Sequence, residues 1–103
     1  MFNLTKDIES NIANLCEKHH VSDLYLFGSA LTENFNVDSD LDFAVIFNEN
    51  LSPVEHGESF FNLLSDLETL FAKKIDLLAY RAIKNPIFKQ ELDNTKVPIY
   101  AAA

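Results

Sequence analysis

Residues 24–47 constrain the fold more than any other segment of this chain. The segment begins with an apolar run that stops at a Gly-Ser pair, and a second apolar run follows a set of alternating aspartates. An apolar run that ends at Gly-Ser is typical of a buried strand entering a tight turn, whose backbone N–H groups can face an anion. Because side chains alternate along a strand, we expect Asp38, Asp40 and Asp42 on one face. The segment therefore predicts a phosphate-binding turn beside paired carboxylates.

Composition limits the class of protein. The chain has 103 residues, is 48% hydrophobic and contains nine Phe, which predicts one packed domain spanning residues 1–103. No apolar run approaches the ~20 residues of a membrane span, and no signal peptide is visible. The single Cys16 cannot form an internal disulfide, so we expect a cytoplasmic location. The net charge of −8 argues against direct nucleic-acid binding.

Hydrophobic periodicity and turn residues predict the order of the elements. We expect helices over 3–19, from Ser52 to about 71, and from Asn85-Pro86 onward; a helical turn at 29–32; and strands over 23–27, 41–47, 75–80 and 97–100, the last at an edge because of Pro98. Helices that alternate with apolar strands favour an α/β (α+β) fold, here a small mixed sheet flanked by helices. The adjacent His19 and His20 at the first helix end are expected to be exposed there rather than to bind metal.

A third aspartate strengthens the prediction of a site. Asp76 lies inside an apolar strand, where an unpaired carboxylate is costly to bury. If the second and third strands pair, Asp76 approaches Asp42, and with Asp40 the set suits Mg²⁺ or Mn²⁺. The alternative is that Asp40 and Asp42 only form a solvated strand end.

Two other motifs share these aspartates. An EF-hand calcium loop would need Gly at its sixth place, where Phe43 stands within an apolar run. A phosphatase with an aspartyl nucleophile would need its D-x-D after a strand, whereas here the strand follows the motif. The first alternative fails and the second is weakened.

What remains is Gly28-Ser29, ten intervening residues, Asp40-x-Asp42 and a later Asp76. This pattern resembles the DNA polymerase β-like nucleotidyltransferase superfamily, and the resemblance covers roughly residues 3–100. The size and local sequence look most like the minimal nucleotidyltransferases (MNT), the partners of HEPN proteins in bacterial and archaeal toxin–antitoxin pairs. The resemblance implies the nucleotidyltransferase fold.

The resemblance also implies a mechanism. Gly28 and Ser29 would hold the β- and γ-phosphates of ATP, while Asp40, Asp42 and Asp76 would bind two Mg²⁺ (or Mn²⁺) ions and catalyse transfer of AMP to a hydroxyl group. In the MNT group that hydroxyl can belong to a tyrosine of the HEPN toxin, so the chain would be an antitoxin and a protein adenylyltransferase. Its small size implies an oligomer or a hetero-complex with a HEPN protein encoded next door.

One departure from the family pattern bears on activity. Many relatives have the run G-S-x-A-R-G. Here Gly28-Ser29 is followed by Ala30, Leu31, Thr32 and Glu33, so this run contains no Arg. A triphosphate would lose a charge-assisted partner worth ~1.5–3 kcal/mol. A partner chain could compensate, or one of three basic residues elsewhere: Lys73, Lys74 and Arg81. Two alternatives therefore stay open, a catalytically weak antitoxin that acts by binding, and transfer to RNA or a small molecule.

Overall fold

The computed structural model describes residues 4–33, 35–36 and 38–102. The described part contains three α-helices, four strands and two short 3-10 helices. In chain order these are α1 (Lys6–Lys18), β1 (Val21–Phe27), a 3-10 turn (Gly28–Leu31), β2 (Leu41–Phe47), α2 (Pro53–Phe71), β3 (Ile75–Ala79), a second 3-10 turn (Tyr80–Ala82), α3 (Pro86–Thr95) and β4 (Val97–Ala101).

Local signals set the start and the end of α2. The Ser52 hydroxyl accepts the Glu55 N–H at 3.2 Å, and the Glu55 carboxylate accepts the Ser52 N–H at 3.1 Å. This is the predicted capping box, with Pro53 at the first helical position. The helix ends at Ala72, which adopts a left-handed conformation with φ 49°. That conformation turns the chain sharply from the helix toward β3.

The sheet is mixed, as predicted, and has the strand order β3-β2-β1-β4. β1 pairs antiparallel with both β2 and β4, whereas β2 and β3 run parallel and are connected by α2. β1 is interior, as the apolar run at residues 24–27 predicts. β4 lies at an edge, where Pro98 is tolerated.

Helices α1 and α2 cover one face of the sheet and enclose the core. Alternate residues of the strands point into it, in keeping with the two-residue period of a strand. The buried set comprises Ile12, Cys16, Val21, Leu24, Leu26, Ala30, Leu41, Phe43, Val45, Phe47, Leu63, Leu67, Ile75 and Leu77.

One prediction at the end of α1 was wrong. His19 is only 6% exposed, and its Nε2 lies 2.5 Å from Asp66 Oδ2 on α2. The expectation of an exposed side chain considered α1 alone, but α2 packs beside it and supplies both the cover and the hydrogen-bond partner. His20, with φ 62°, is exposed as expected.

The second face of the sheet carries the intervening residues of the strands. Helix α3 lies over part of this face, where Phe88 meets Phe27 with ring centroids 6.3 Å apart. Farther along, the Tyr80 hydroxyl donates to Asp93 at 2.6 Å. Of the helices in the described ranges, none is both long and apolar enough to cross a membrane.

Candidate active site

Asp42 and Asp76 lie side by side on the second face of the sheet. Both follow the first residue of their strands, and the parallel register pairs Leu41 with Ile75 and Asp42 with Asp76. Their side chains point away from the core because their neighbours point into it. The structure therefore brings together two of the three aspartates that the sequence singles out.

The Asp42 carboxyl titrates abnormally because of its surroundings. Partial burial raises its pKa from an ordinary 3.8 to about 6, and the adjacent Asp76 carboxylate, within hydrogen-bonding reach, adds to the rise, with a smaller contribution from the charge of Asp40. A carboxyl that resists ionisation beside other carboxylates sits in a site short of positive charge. A bound cation would supply that charge.

Gly28 places the turn against these carboxylates. It follows Phe27, which pairs with Asp42 across β1 and β2, and it has a left-handed φ of 77°. A methyl group at Gly28 would overlap Asp42 Oδ2. Glycine is thus required both for the backbone conformation and for the close approach of the carboxylate.

Ser29 continues this turn, and its carbonyl accepts the Thr32 N–H at 3.0 Å and the Thr32 hydroxyl at 2.8 Å. The first N–H groups of such a turn have no partner within it and are suited to an anion.

Asp38 lies in a turn outside β2, so the prediction that it shares one strand face with Asp40 and Asp42 was wrong. β2 begins at Leu41, and the two earlier aspartates lie in the connector before it. Asp38 is in a turn, where its N–H donates to Asn36 Oδ1 at 2.8 Å. The Asp40 carboxylate is instead 3.9 Å from the Lys74 ammonium. Across the three described ranges, no group of three or more His, Cys, Asp and Glu side chains is arranged to hold a metal ion.

The three candidate basic residues occupy different places. Arg81 pairs with Glu49 at 3.6 Å, beyond the opposite end of β2 from Asp42. Lys73 donates to the Ser39 carbonyl and lies over the Phe35 ring. Neither contact involves a site aspartate.

Lys74 alone of these three contacts a site aspartate, Asp40. The pairing is detectable in the sequence only once the β2–β3 register is known, because that register places Lys74 opposite Asp40.

A groove that the sequence did not reveal borders the turn. It has a volume of about 560 Å³ and lies between the Gly28 turn and α3, with Phe27, Leu31, Phe88 and Leu92 among its lining residues. Its size is in the range of small-molecule sites, and its lining is largely apolar. The sequence gives no signal for it, because the partial exposure of Phe88 on α3 is evident only in the fold.

A glycine turn beside paired carboxylates, on the second face of a small mixed sheet, is the arrangement expected of a nucleotidyltransferase. The chain belongs to the polymerase β nucleotidyltransferase family, since the family model "Polymerase beta, Nucleotidyltransferase" matches residues 10–103. The resemblance seen in the sequence is thereby confirmed.

Two relatives in Methanocaldococcus jannaschii support this assignment. They are the predicted protein adenylyltransferases MJ1379 and MJ0128, which are 32% and 34% identical to this chain over 79 residues. The aligned part is 77% of this chain in both cases, and 77% and 76% of the respective relatives.

Solved structures of the same fold include chains from toxin–antitoxin complexes. A toxin–antitoxin crystal structure with AMP-PNP has a TM-score of 0.70 at 21% identity, and the match covers 91% of this chain and 73% of that chain. A minimal nucleotidyltransferase has a TM-score of 0.66 at 24% identity, with 90% of each chain covered. A Shewanella oneidensis complex of a tri-AMPylated HEPN toxin with its MNT antitoxin has a TM-score of 0.62 at 20% identity, covering 91% and 70%. These similarities establish the fold.

Proposed function

We propose that this chain transfers AMP from ATP, in a Mg²⁺-dependent reaction, to a tyrosine hydroxyl of a HEPN toxin encoded next to it, and so acts as an antitoxin. The family assignment supports nucleotidyl transfer, and the names of the archaeal relatives support a protein acceptor. The Shewanella oneidensis complex, with its AMPylated HEPN toxin, supports the identity of that acceptor.

The observation that carries the proposal is the contact between Asp42 and Asp76 beside Gly28. Partial burial, and next the Asp76 carboxylate on the neighbouring strand, raise the pKa of Asp42 and so its cost of ionisation. A site that served only structure would gain stability from an amide or an apolar residue at one of these positions. The arrangement is instead suited to a divalent cation with oxygen ligands.

The residues present fit Mg²⁺. Asp42 and Asp76 would hold it with the hard carboxylate oxygens that this ion prefers. Asp40, which the described structure does not group with them, would turn from Lys74 to become a third ligand. Mn²⁺ would be accepted by the same set. The bound ion supplies positive charge that offsets the charge on the phosphates and on the attacking oxygen.

The protein's own groups account for orientation and proton transfer. Backbone N–H groups at Gly28 and Ser29 would bind the β- and γ-phosphates and so would hold the leaving pyrophosphate at the turn. The acceptor oxygen would attack the α-phosphorus from the other side, near β3. A new O–P bond forms, the bond from the α-phosphorus to the bridging oxygen breaks, and pyrophosphate leaves. The hydroxyl proton would pass to the Asp76 carboxylate, which is exposed on that side.

The test uses the purified chain, the neighbouring HEPN protein, ATP and Mg²⁺. Intact-mass spectrometry should show a gain of one or more AMP units on the HEPN protein. Replacement of both Asp40 and Asp42 by Asn should abolish that gain while the circular dichroism spectrum stays native. The matched control is Asp38→Asn, an exposed aspartate in the same connector, which should retain transfer. An unmodified HEPN protein in the presence of folded wild-type chain would refute the proposal.

A second candidate is an antitoxin that neutralises its partner by binding alone. The observation that favours it is the run Ala30, Leu31, Thr32, Glu33, which places no basic side chain after the phosphate-binding turn. In that case the complex should form with equal affinity for the wild-type chain and the Asp40→Asn, Asp42→Asn double variant. No mass should be added to the partner by either chain.

A further inference from the structure

Lys74 stands at the edge of the carboxylate site because of how α2 ends and β3 begins. The left-handed Ala72 terminates α2, and two residues later the Lys74 carbonyl accepts the Leu41 N–H at 3.3 Å. This bond extends the parallel β2–β3 pairing by one step and places Lys74 opposite Asp40. The Lys74 ammonium then lies 3.9 Å from Asp40 Oδ2.

The pair is exposed, with 76% of the Lys74 side chain and 45% of the Asp40 side chain accessible to solvent. An exposed pair of this kind contributes little to stability, so the contact is cheap to break. Lysine also carries its charge on a flexible four-carbon stem with three donors that can be redirected. Both properties suit a group that changes partner when a ligand arrives.

The other cations with described contacts are engaged away from the three aspartates. Lys73, the immediate neighbour, points to the Ser39 carbonyl and the Phe35 ring. The others bind elsewhere: Lys18 to Asp66, Arg81 to Glu49, Lys89 to the Tyr80 ring, and Lys96 to Asp93. Among the described residues, Lys74 is thus the cation that the fold places in contact with a site aspartate.

We propose that Lys74 is a phosphate-binding residue of this site. The inference rests on the proposed nucleotidyl transfer, which places the triphosphate beside Asp40 and Asp42. Without ligand, the Lys74 ammonium pairs with Asp40; with nucleotide bound, it exchanges that carboxylate for a phosphate oxygen. Lys74 thereby supplies, from the start of β3, the positive charge that relatives carry just after the Gly-Ser turn.

Loss of the Lys74 charge should have opposite effects on the binding of nucleotide and of metal ion, which a purely structural role would not produce. Removal of the ammonium takes a cation away from the phosphates, so nucleotide binding weakens. The same removal frees the Asp40 carboxylate and eliminates repulsion of an incoming divalent cation, so metal binding strengthens. A side chain that merely supported the fold would affect both in the same direction.

The experiment compares Lys74→Gln and Lys74→Arg with Lys6→Gln by isothermal titration calorimetry. Lys6→Gln changes the net charge equally but at the start of α1, a helix on the opposite face of the sheet from Asp42 and Asp76. Two probes are used: ATP, in EDTA and in Mg²⁺, and Mn²⁺ alone.

For Lys74→Gln we expect about tenfold weaker ATP binding, the size of one charge-assisted contact, together with severalfold tighter Mn²⁺ binding. Lys74→Arg should keep ATP affinity near that of the wild type. Lys6→Gln should shift neither ligand by more than about twofold, in keeping with screening of distant exposed charges.

Three outcomes separate the explanations. Unchanged ATP affinity in Lys74→Gln would overturn the inference and leave nucleotidyl transfer intact. A loss of affinity for both ATP and Mn²⁺, accompanied by a lower melting temperature, would also overturn it, in favour of a structural role. Failure of the wild-type chain to bind ATP with or without Mg²⁺ would refute the proposed function itself.

Discussion

Asp42→Asn is expected to stabilise the metal-free protein while it destroys the site. The Asp42 carboxyl has a pKa of about 6 in the folded chain, against an ordinary 3.8. That rise corresponds to a ceiling of about 3 kcal/mol by which the ionised form disfavours folding. Because the side chain is only half-buried, solvent screens part of this effect. We therefore expect a gain of about 1–2 kcal/mol at neutral pH, or roughly 4–16 °C in melting temperature for a domain of this size.

The pH dependence of the gain follows from the direction of the shift. Between pH 4 and 6 the folded chain holds a proton on Asp42 that the unfolded chain has lost, so the stability of the wild type falls as pH rises through this window. Asn has no proton to lose. The difference between Asp42→Asn and the wild type should be near zero at pH 4 and should reach its full size above about pH 6.

Urea unfolding in EDTA, followed by circular dichroism at several pH values, measures this difference. Asp38→Asn serves as the control, because this exposed aspartate is four positions away and should give no comparable gain. Added Mg²⁺ should raise the stability of the wild type and reduce or reverse the advantage of Asn at position 42. An Asp42→Asn variant that is no more stable than the wild type at pH 7–8, or whose gain does not vary with pH, would refute the electrostatic reasoning.

Three further predictions concern the turn at the site, the α1–α2 contact and the core. Gly28→Ala should lower the free energy of unfolding in urea by about 1–2 kcal/mol, because alanine is strained at positive φ. It should also lose ATP binding in calorimetry, because its methyl group displaces the Asp42 carboxylate. His19→Ala should lower the free energy of unfolding by about 1–3 kcal/mol, because it removes the hydrogen bond to Asp66. His19 holds the pKa of Asp66 below its usual range, so the stability advantage of the wild type should disappear as pH falls through that folded-state pKa. Acid unfolding of both chains would measure this loss. Leu67→Ala should cost about 2–5 kcal/mol in urea unfolding, because the side chain is fully buried between α2 and the sheet, and a smaller loss would mean that the core collapses around the gap.

Local sequence signals predicted the elements of this fold because their causes are local. The capping box at Ser52 and the edge position of the strand with Pro98 need no knowledge of distant residues. The strand order does require knowledge of distant residues, because the antiparallel pairing of β1 with both of its neighbours depends on how the whole chain packs. The meeting of Asp42 and Asp76 could be predicted only conditionally, on the assumption that their strands pair.

The features that the sequence missed all depend on contacts between distant segments. His19 looked exposed until α2 supplied Asp66 beside it. Asp40 lies directly before β2, which begins at Leu41 as predicted, but its partner could not be read from its own segment. Its pairing with Lys74 spans 34 positions and follows from register, which no single segment encodes.

Because β2 pairs with β3, which follows α2 in the chain, the site is completed late in synthesis. Gly28 and Asp42 leave the ribosome together and can meet through a local antiparallel pair, but Asp76 follows only after the whole of α2. A parallel partner requires that crossover to be made and packed first. A nascent chain that stops short of β3 would therefore carry the turn and one carboxylate without the pair. The proposed cation site at Asp42 and Asp76 would thus be complete only in chains whose sheet has formed through β3.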